Sequence, residues 1–477
     1  MTGVGTITIT EKTEKNIGSA PNTNHVESPI PVRGKVSAKW QGISEWMRSD
    51  SPMAKGLEKM LDQVDLEGLK SIASGLRNGM NCHITDNYTC GAYNIVFEIV
   101  FDDGVSWIAR LRSASHMQII SQEFVFESPT YKQHMMESEI ATMKYVREHT
   151  SIPVPEVYAF ETTSNNPAKL PYILMECIDG HRVPAKARDL PSHLLKQILH
   201  ELAGVLLKLS TLQFPKIGNL YENSDGRYRI DTMLDRKGKK VGPFTSSTEY
   251  YRWRAEQPLV RSNNSSMDLK DAFFHSYLYK LSLPFLMNGF RPEGPFPLAH
   301  NDLGTHNTLF DNDGNLKGVI DWTGACVVPW ESFAQLPGGV MMGPYLRSEF
   351  SDHIYHFNRY KVRVFLDSMK RHEQQRQDEN DVSLTKLLGS PASELAECME
   401  QYDLSALRSK YRRKLCRLLF GPDVDPEMLK KSVFKSELFD DGSVGIYKNG
   451  ADRKSSGLGD SNGICIGDTR NGTSSAV

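Results

Sequence analysis

Two spacings of hydrophobic residues take turns along this chain. Asn94-Ile-Val-Phe-Glu-Ile-Val-Phe101 and Ser106-Trp-Ile-Ala-Arg-Leu-Arg112 have the apolar richness of strands, and Asp102-Asp-Gly104 lies between them. Asp-Gly tolerates positive φ, so the two segments predict a tight hairpin. Short apolar runs at Val157–Glu161 and Tyr172–Glu176 predict two more strands. Helical spacing governs elsewhere. Leu57, Leu61, Val64 and Leu69 predict a helix over Met53–Ser74, and a second is expected at about Met136–His149. After Gly180 the pattern is mainly helical. Leu195, Ile198, Leu199, Leu202, Leu206 and Leu209 form one apolar stripe over 193–210, and further helices are expected over about 268–288, 350–378 and 391–419. A strand-rich first part followed by a helix-rich second part predicts an α+β fold with two lobes.

Both ends have a different character. Residues 1–38 are rich in Thr, Ser, Asn, Pro and Gly, and residues 441–477 are dense in Gly, Ser, Asn and Asp, so both are expected to be disordered tails. Charge narrows the function. With 56 Lys plus Arg against 58 Asp plus Glu, the net charge is −2, which offers no electrostatic case for nucleic acid or an anionic membrane as partner. No apolar run approaches the roughly 18 residues needed to span a bilayer. The N-terminus lacks a basic and apolar leader pattern, and the seven Cys of the whole chain are scattered without a Cys-x-x-Cys pair. A cytoplasmic location is expected on these grounds, and the oligomeric state is left open.

The chemistry concentrates in Leu298-Ala-His-Asn-Asp-Leu-Gly-Thr-His-Asn307 and Gly318-Val-Ile-Asp-Trp322. Asn307 follows Asp302 by 5 positions, and Asp321 follows Asn307 by 14. Thr308-Leu-Phe310, a turn at Asp311-Asn-Asp-Gly314 and Leu316–Ile320 read as a hairpin that returns Asp321 to the side of Asn307. Phosphoryl transfer needs such a set. One carboxylate positions and deprotonates the acceptor hydroxyl, while an amide oxygen and a second carboxylate hold magnesium on the phosphates.

His300-x-Asp302-x-x-x-x-Asn307 followed by Ile320-Asp321-Trp322 resembles the catalytic loop and metal-binding strand end of the aminoglycoside phosphotransferase family and its choline-kinase-like relatives. The resemblance extends over about residues 82–340 and implies a bilobal protein-kinase-like fold, with a nucleotide-covering N-lobe over 39–176 and a helical C-lobe over 177–440. It implies ATP and Mg2+ as cofactors and a small-molecule hydroxyl as acceptor. Asp302 would be the catalytic base, Asn307 and Asp321 the metal ligands, and His300 a structural residue of the loop. Gly91, in Cys90-Gly-Ala-Tyr-Asn94, stands in the place of the phosphate-covering loop. Arg110 stands where kinases carry a phosphate-binding Lys, with Arg112 as the same-face alternative two residues on. Glu139, or its competitor Glu137, would pair with that cation. The backbone of Glu176 and Ile178 would hold adenine.

Asn301 in place of the commoner glycine, and Thr323-Gly-Ala-Cys-Val-Val-Pro-Trp-Glu331 in place of Gly-Pro-x-x-Asp, are departures that bear on the acceptor. Two alternatives stay open: a non-catalytic kinase-like scaffold, and a protein Ser/Thr kinase, against which stands the lack of His-Arg-Asp, Asp-Phe-Gly and Ala-Pro-Glu motifs. Tyr250-Tyr-Arg-Trp-Arg254 either walls a substrate pocket or packs. Lys410–Arg417 reads as the charged face of an amphipathic helix.

Overall fold

A computed structural model describes residues 36–37, 40, 61–90, 94–112, 128–183, 190–235, 237–262, 268–340, 352–376, 382–400 and 408–435. The chain divides into two compact units, Met1–Pro422 and Asp423–Val477. In the second unit the described element is a helix, Pro426–Lys435, whose first turn is capped by Asp425. The other described elements belong to the first unit.

Its N-terminal part is a five-stranded antiparallel sheet with order β1-β2-β3-β5-β4, formed by β1 (Cys82–Cys90), β2 (Asn94–Phe101), β3 (Ser106–Arg112), β4 (Val157–Glu161) and β5 (Tyr172–Glu176). The expected hairpin is there, and Gly104 takes φ +78° in its turn. Strand alternation decides what each face carries. Ile95, Phe97, Ile99 and Phe101 of β2 and Trp107, Ala109 and Leu111 of β3 form one apolar face, buried with Leu69 and Ala73 of helix α1 (Leu66–Leu76). The opposite face carries Asn94, Val96 and Glu98, paired across the ladder with Arg112, Arg110 and Ile108.

Three boundaries differ from expectation. The helix expected over Met53–Ser74 is interrupted at 62–65: Leu61 is helical, and α1 starts afresh at Leu66, where Asp65 caps it by accepting from Gly68 N–H at 2.8 Å; residues 53–60 lie outside the described residues. Helix α2 (Pro129–His149) starts seven residues before the expected Met136. Ser128 accepts from Tyr131 N–H and Pro129 occupies the first helical turn, a start signal stronger than the loss of apolar spacing. The third concerns the N-terminal tail. Glu98 is 0% exposed, and its carboxylate accepts from Val36 N–H at 3.1 Å and Ser37 N–H at 2.6 Å. Burial alone would raise the Glu98 carboxyl, but the hydrogen bonds from Ser37, Ser106 and Val36 outweigh it and hold the group below its ordinary value. The tail boundary expected at 38 therefore moves forward: Val36 and Ser37 belong to the folded part. Residues 1–35 and 441–477 lie outside the described residues.

The second part is mainly helical. Its longer helices are α3 (Ser192–Ser210), α4 (Ser247–Ser262), α5 (Leu269–Met287), and, beyond a short α6 (Trp330–Phe333), α7 (Asp352–Gln375), with a short α8 (Leu384–Leu387), α9 (Pro391–Glu400) and α10 (Arg408–Phe420) after it. The stripe on α3 is buried throughout, and α3 packs on α7. The single helix expected over 391–419 is two, α9 and α10, with 401–407 outside the described residues. Short strands interrupt the helices: β6 (Gln213–Phe214), β7 (Asn219–Glu222), β8 (Tyr228–Asp231), β9 (Met233–Leu234), β10 (Lys240–Val241), β11 (Phe296–Ala299), β12 (Thr308–Phe310), β13 (Leu316–Val319) and β14 (Cys326–Val327). β12 and β13 form the hairpin expected after Asn307. Among the described residues no helix is long and apolar enough to cross a membrane.

Candidate active site

The loop between β11 and β12 carries Asp302 and Asn307, and its shape follows from three hydrogen bonds. His300 is buried, and its Nε2 lies 3.1 Å from the Ile320 carbonyl while Asp302 N–H points at Nδ1 over 3.4 Å. That pattern is the neutral imidazole with its proton on Nε2, and burial lowers the His300 pKa accordingly. Ile320 N–H donates to Asn307 O at 2.9 Å. The last bond fixes the distance between the two ends of the hairpin, so Asn307 and Asp321 are brought together by the ladder itself. Asn301 and Asp321 both adopt left-handed backbone, φ +63° and +61°. Asn and Asp tolerate that region better than other side-chain-bearing residues. Asn301 is also fixed by donating to the Gly324 carbonyl at 2.7 Å, a contact glycine would lack.

Arg110 of β3 reaches across to the same place. Its Nη1 pairs with Glu139 Oε1 of α2, and its Nη2 lies 2.6 Å from Asp321 Oδ1 and 2.7 Å from Thr323 Oγ1. Thr323 in turn is 2.9 Å from Glu139 Oε2 and 3.1 Å from Asp321 Oδ1, so its hydroxyl accepts from Arg110 and donates to one of the two carboxylates. Asn94, with its amide oxygen turned to Arg110, accepts from Nε at 3.0 Å. The Arg110 and Glu139 side chains are 10% and 2% exposed. Burial works against charge on Arg110, but Glu139 and Asp321 outweigh it and hold the guanidinium above its ordinary value. Burial also opposes charge on Asp321, yet Arg110 and the Thr323 hydrogen bond leave its carboxyl below the usual range.

Between the alternatives left open by the sequence, Arg110 rather than Arg112 meets Asp321, and Glu139 rather than Glu137 meets Arg110. Glu137 is half-buried and accepts from Gln133 one turn earlier on α2. Glu176 ends β5, with its N–H donated to the Glu156 carbonyl. Ile178 lies against Gly318 of β13: a Cβ on that glycine would sit 2.6 Å from Ile178 Cδ1. His181 exchanges both backbone hydrogen bonds with Phe310, so the segment after β5 is laced to the hairpin of Asn307 and Asp321. Gly91 lies outside the described residues. Tyr250, Tyr251 and Arg254 pack inside the helical part, where Tyr250 Oη donates to Glu400 at 2.7 Å and Arg254 pairs with the same carboxylate.

Asp302 is differently placed. Its side chain is 63% exposed, with one oxygen 2.9 Å from Asn307 Nδ2 and the other 3.0 Å from His306 Nε2. The hydrogen bond to Asp302 raises the His306 pKa. Since Asn307 donates its amide to Asp302, its carbonyl oxygen is the atom left for another partner. That oxygen and the Asp321 carboxylate are hard donors of the kind magnesium prefers, so the residues fit a divalent cation. Sequence reasoning missed Asn94 and Thr323. Thr323 directly follows Asp321-Trp322, which is the one signal that could have found it.

The sequence model of the Phosphotransferase enzyme family matches residues 91–331, just over half of the chain. A subtelomeric hrmA-associated cluster protein of Aspergillus fumigatus is 32% identical over 126 residues, 26% of this chain and 24% of that protein. The mitochondrial "altered inheritance of mitochondria protein 9" of Debaryomyces hansenii is 25% identical over 224 residues, 45% of this chain and 33% of that protein. The chain thus spans a quarter to a third of the length of these curated relatives. Among solved structures, the aminoglycoside phosphotransferase APH(4)-Ia matches at TM-score 0.45 and 14% identity, covering 76% of this chain and 100% of that one. A putative fructosamine-3-kinase from Thermobifida fusca matches at TM-score 0.44 and 14% identity, covering 75% of this chain and 99% of that one. The α+β architecture, an antiparallel sheet followed by a mainly helical part, is protein-kinase-like. The matched segment runs from the start of β2 through the loop of Asp302 and the hairpin to Asp321, and the chain belongs to the phosphotransferase enzyme family.

Proposed function

We propose that this protein transfers the γ-phosphoryl group of ATP to a hydroxyl group of a small molecule. The observation that carries the reading is the convergence of Asp302, Asn307 and Asp321, fixed by the Ile320-to-Asn307 hydrogen bond, with Arg110 beside them. Asp302, exposed and hydrogen-bonded through both oxygens, orients the acceptor hydroxyl and takes its proton as the oxygen attacks phosphorus. Asn307 Oδ1 and the Asp321 carboxylate would hold magnesium, which when bound neutralises charge on the phosphate oxygens. Arg110 binds phosphate oxygens through its planar fork, and Glu139 holds that fork in place from behind. The backbone at Glu176 and Ile178 lies where adenine would be read, and Gly91 would belong to the loop over the phosphates. The acceptor side is bounded by Asn301, held in its left-handed conformation. The balanced charge and scattered thiols support a cytoplasmic location.

The test separates the two carboxylates. Asp302→Asn is expected to leave Mg-ATP affinity near that of the wild type and to lower turnover by roughly 10²–10⁴-fold. Asp321→Asn is expected to weaken Mg-ATP binding as well as turnover. Calorimetric titration with Mg-ATP and phosphate release, read with a library of hydroxylated metabolites as acceptors, check both. Full activity in Asp302→Asn would reject Asp302 as the base, and a wild type that turns over none of the acceptors would leave a non-catalytic scaffold to account for the fold. Phosphorylation of protein substrates with no small molecule accepted would move the reading to a protein kinase.

A further inference from the structure

His306 is the residue before Asn307, and the chemistry proposed above gives it no task. Its position is nevertheless built. Gly304 and Gly338 face each other in a short parallel bridge, closed by Thr305 N–H to Gly338 O at 3.0 Å and Gly338 N–H to Leu303 O at 2.7 Å. The imidazole sits over this pair. A Cβ on Gly304 would lie 2.7 Å from His306 Cε1, and one on Gly338 would lie 2.9 Å from the same atom. Contacts that short do not occur, so a side chain at either position would displace the ring. Next to Gly338, Gly339 is tied to α7, where Lys361 donates to its carbonyl at 2.6 Å.

The ring so seated points Nε2 at Asp302 Oδ1 over 3.0 Å. The terminal torsion of a carboxylate is broad and two-fold, and the Asp302 side chain is too exposed for packing to fix it. Hydrogen bonds alone must do so. Asn307 Nδ2 holds Oδ2, which still lets the group swing about that contact. A second donor on Oδ1 removes the swing.

We propose that His306 is a positioning residue for Asp302, seated by Gly304 and Gly338, which fixes the carboxylate so that a chosen lone pair faces the acceptor hydroxyl. The proposal rests on the reading of Asp302 as the acceptor-side base. It deepens that reading by assigning the orientation of the base to a specific donor and a specific pair of glycines.

The experiment uses the full chain, Mg-ATP, and water as the acceptor. Single-turnover phosphate release and the Mg-ATP dissociation constant are measured for His306→Ala, His306→Gln, Gly338→Ala and Asp302→Asn. His306→Ala is expected to slow release by roughly tenfold to a hundredfold, the range that small misplacements of reacting groups produce, with Mg-ATP affinity unchanged. His306→Gln should recover most of the rate, because its amide nitrogen lies the same number of bonds from Cβ and donates to the same oxygen. Gly338→Ala should behave like His306→Ala. A wild-type rate in His306→Ala, or a Gln variant as slow as the Ala variant, overturns the positioning role while leaving the role of Asp302 intact. If the wild type releases no phosphate, or Asp302→Asn matches its rate, the reading of Asp302 fails and the positioning role goes with it.

Discussion

Arg110 and Glu139 form an ion pair whose side chains are 10% and 2% exposed, so breaking it strands a buried charge. Replace Arg110 by Met, which fills similar space without charge. Glu139, 2% exposed, then keeps one donor, the Thr323 hydroxyl at 2.9 Å, and loses the guanidinium that balanced it. Removing one partner of a buried pair costs about 3–5 kcal/mol, and the surviving Thr323 bond places this case near the lower end, at about 3 kcal/mol. Glu139→Gln alone should cost less, because Arg110 retains Asp321 at 2.6 Å. The double variant removes the stranded charge and should recover a large share of the loss, giving a coupling of roughly 1–3 kcal/mol. Nucleotide affinity should not recover, since phosphate binding needs the guanidinium. Urea denaturation of the four proteins, with Mg-ATP titration of each, separates the two effects. Strictly additive losses in stability would show that Arg110 and Glu139 are not coupled through a dry contact, and would refute the reasoning.

Chelation by EDTA should weaken ATP binding markedly in calorimetry, because Asn307 and Asp321 meet phosphate oxygens only through a cation; equal affinity with and without magnesium would reject that assignment. Ser37→Pro removes the N–H that lies 2.6 Å from Glu98, leaving a buried carboxylate short of a donor. It should destabilise the fold by about 1–3 kcal/mol, and an unchanged thermal transition would show that the contact carries no weight. Burial pushes the Lys361 pKa down to about 8 from its ordinary 10.5. In that window the unfolded chain binds more protons than the folded one, so the stability of the wild type relative to Lys361→Met should rise with pH through it. Parallel stability–pH curves for the two proteins would count against it.

The parts legible in sequence are those whose signals are local. Apolar richness plus Asp-Gly located β2 and β3, and the stripe from Leu195 to Leu209 located α3. β1 was not legible: Cys82-His-Ile-Thr-Asp-Asn-Tyr-Thr-Cys90 is mostly polar, and pairing with β2 rather than its own pattern makes it a strand. α4 was missed because its aromatic and charged residues pack on other helices instead of forming one stripe. Asp302, Asn307 and Asp321 could be grouped because a hairpin joins them. Thr323 could not be paired with Arg110, since 213 residues separate them and only the tertiary fold makes them neighbours. Val36 and Ser37 were read as tail for a related reason. Their composition is that of a tail, and the buried carboxylate that captures them lies on a strand more than sixty positions away.

The β12–β13 hairpin also separates two lengths that a simple loop would tie together. The distance from Asn307 to Asp321 is set by ladder bonds near the open end, while the connection at Asp311–Asn315 closes on itself through Asp311 Oδ1, which accepts from Asp313 and Asn315 N–H. Residues added within that connection would lengthen the far tip and leave the spacing of the two ends as it is. A single residue added inside β12 or β13 would instead shift the ladder and turn alternate side chains to the other face. At the tip it is therefore the exposed Asn312 and Asp313 that could carry a fluorophore or an affinity tag, whereas Gly314 lies against α3, where a Cβ would meet Leu194 Cδ1 at 2.8 Å, and Asn315 Oδ1 accepts from Gln197 at 3.3 Å.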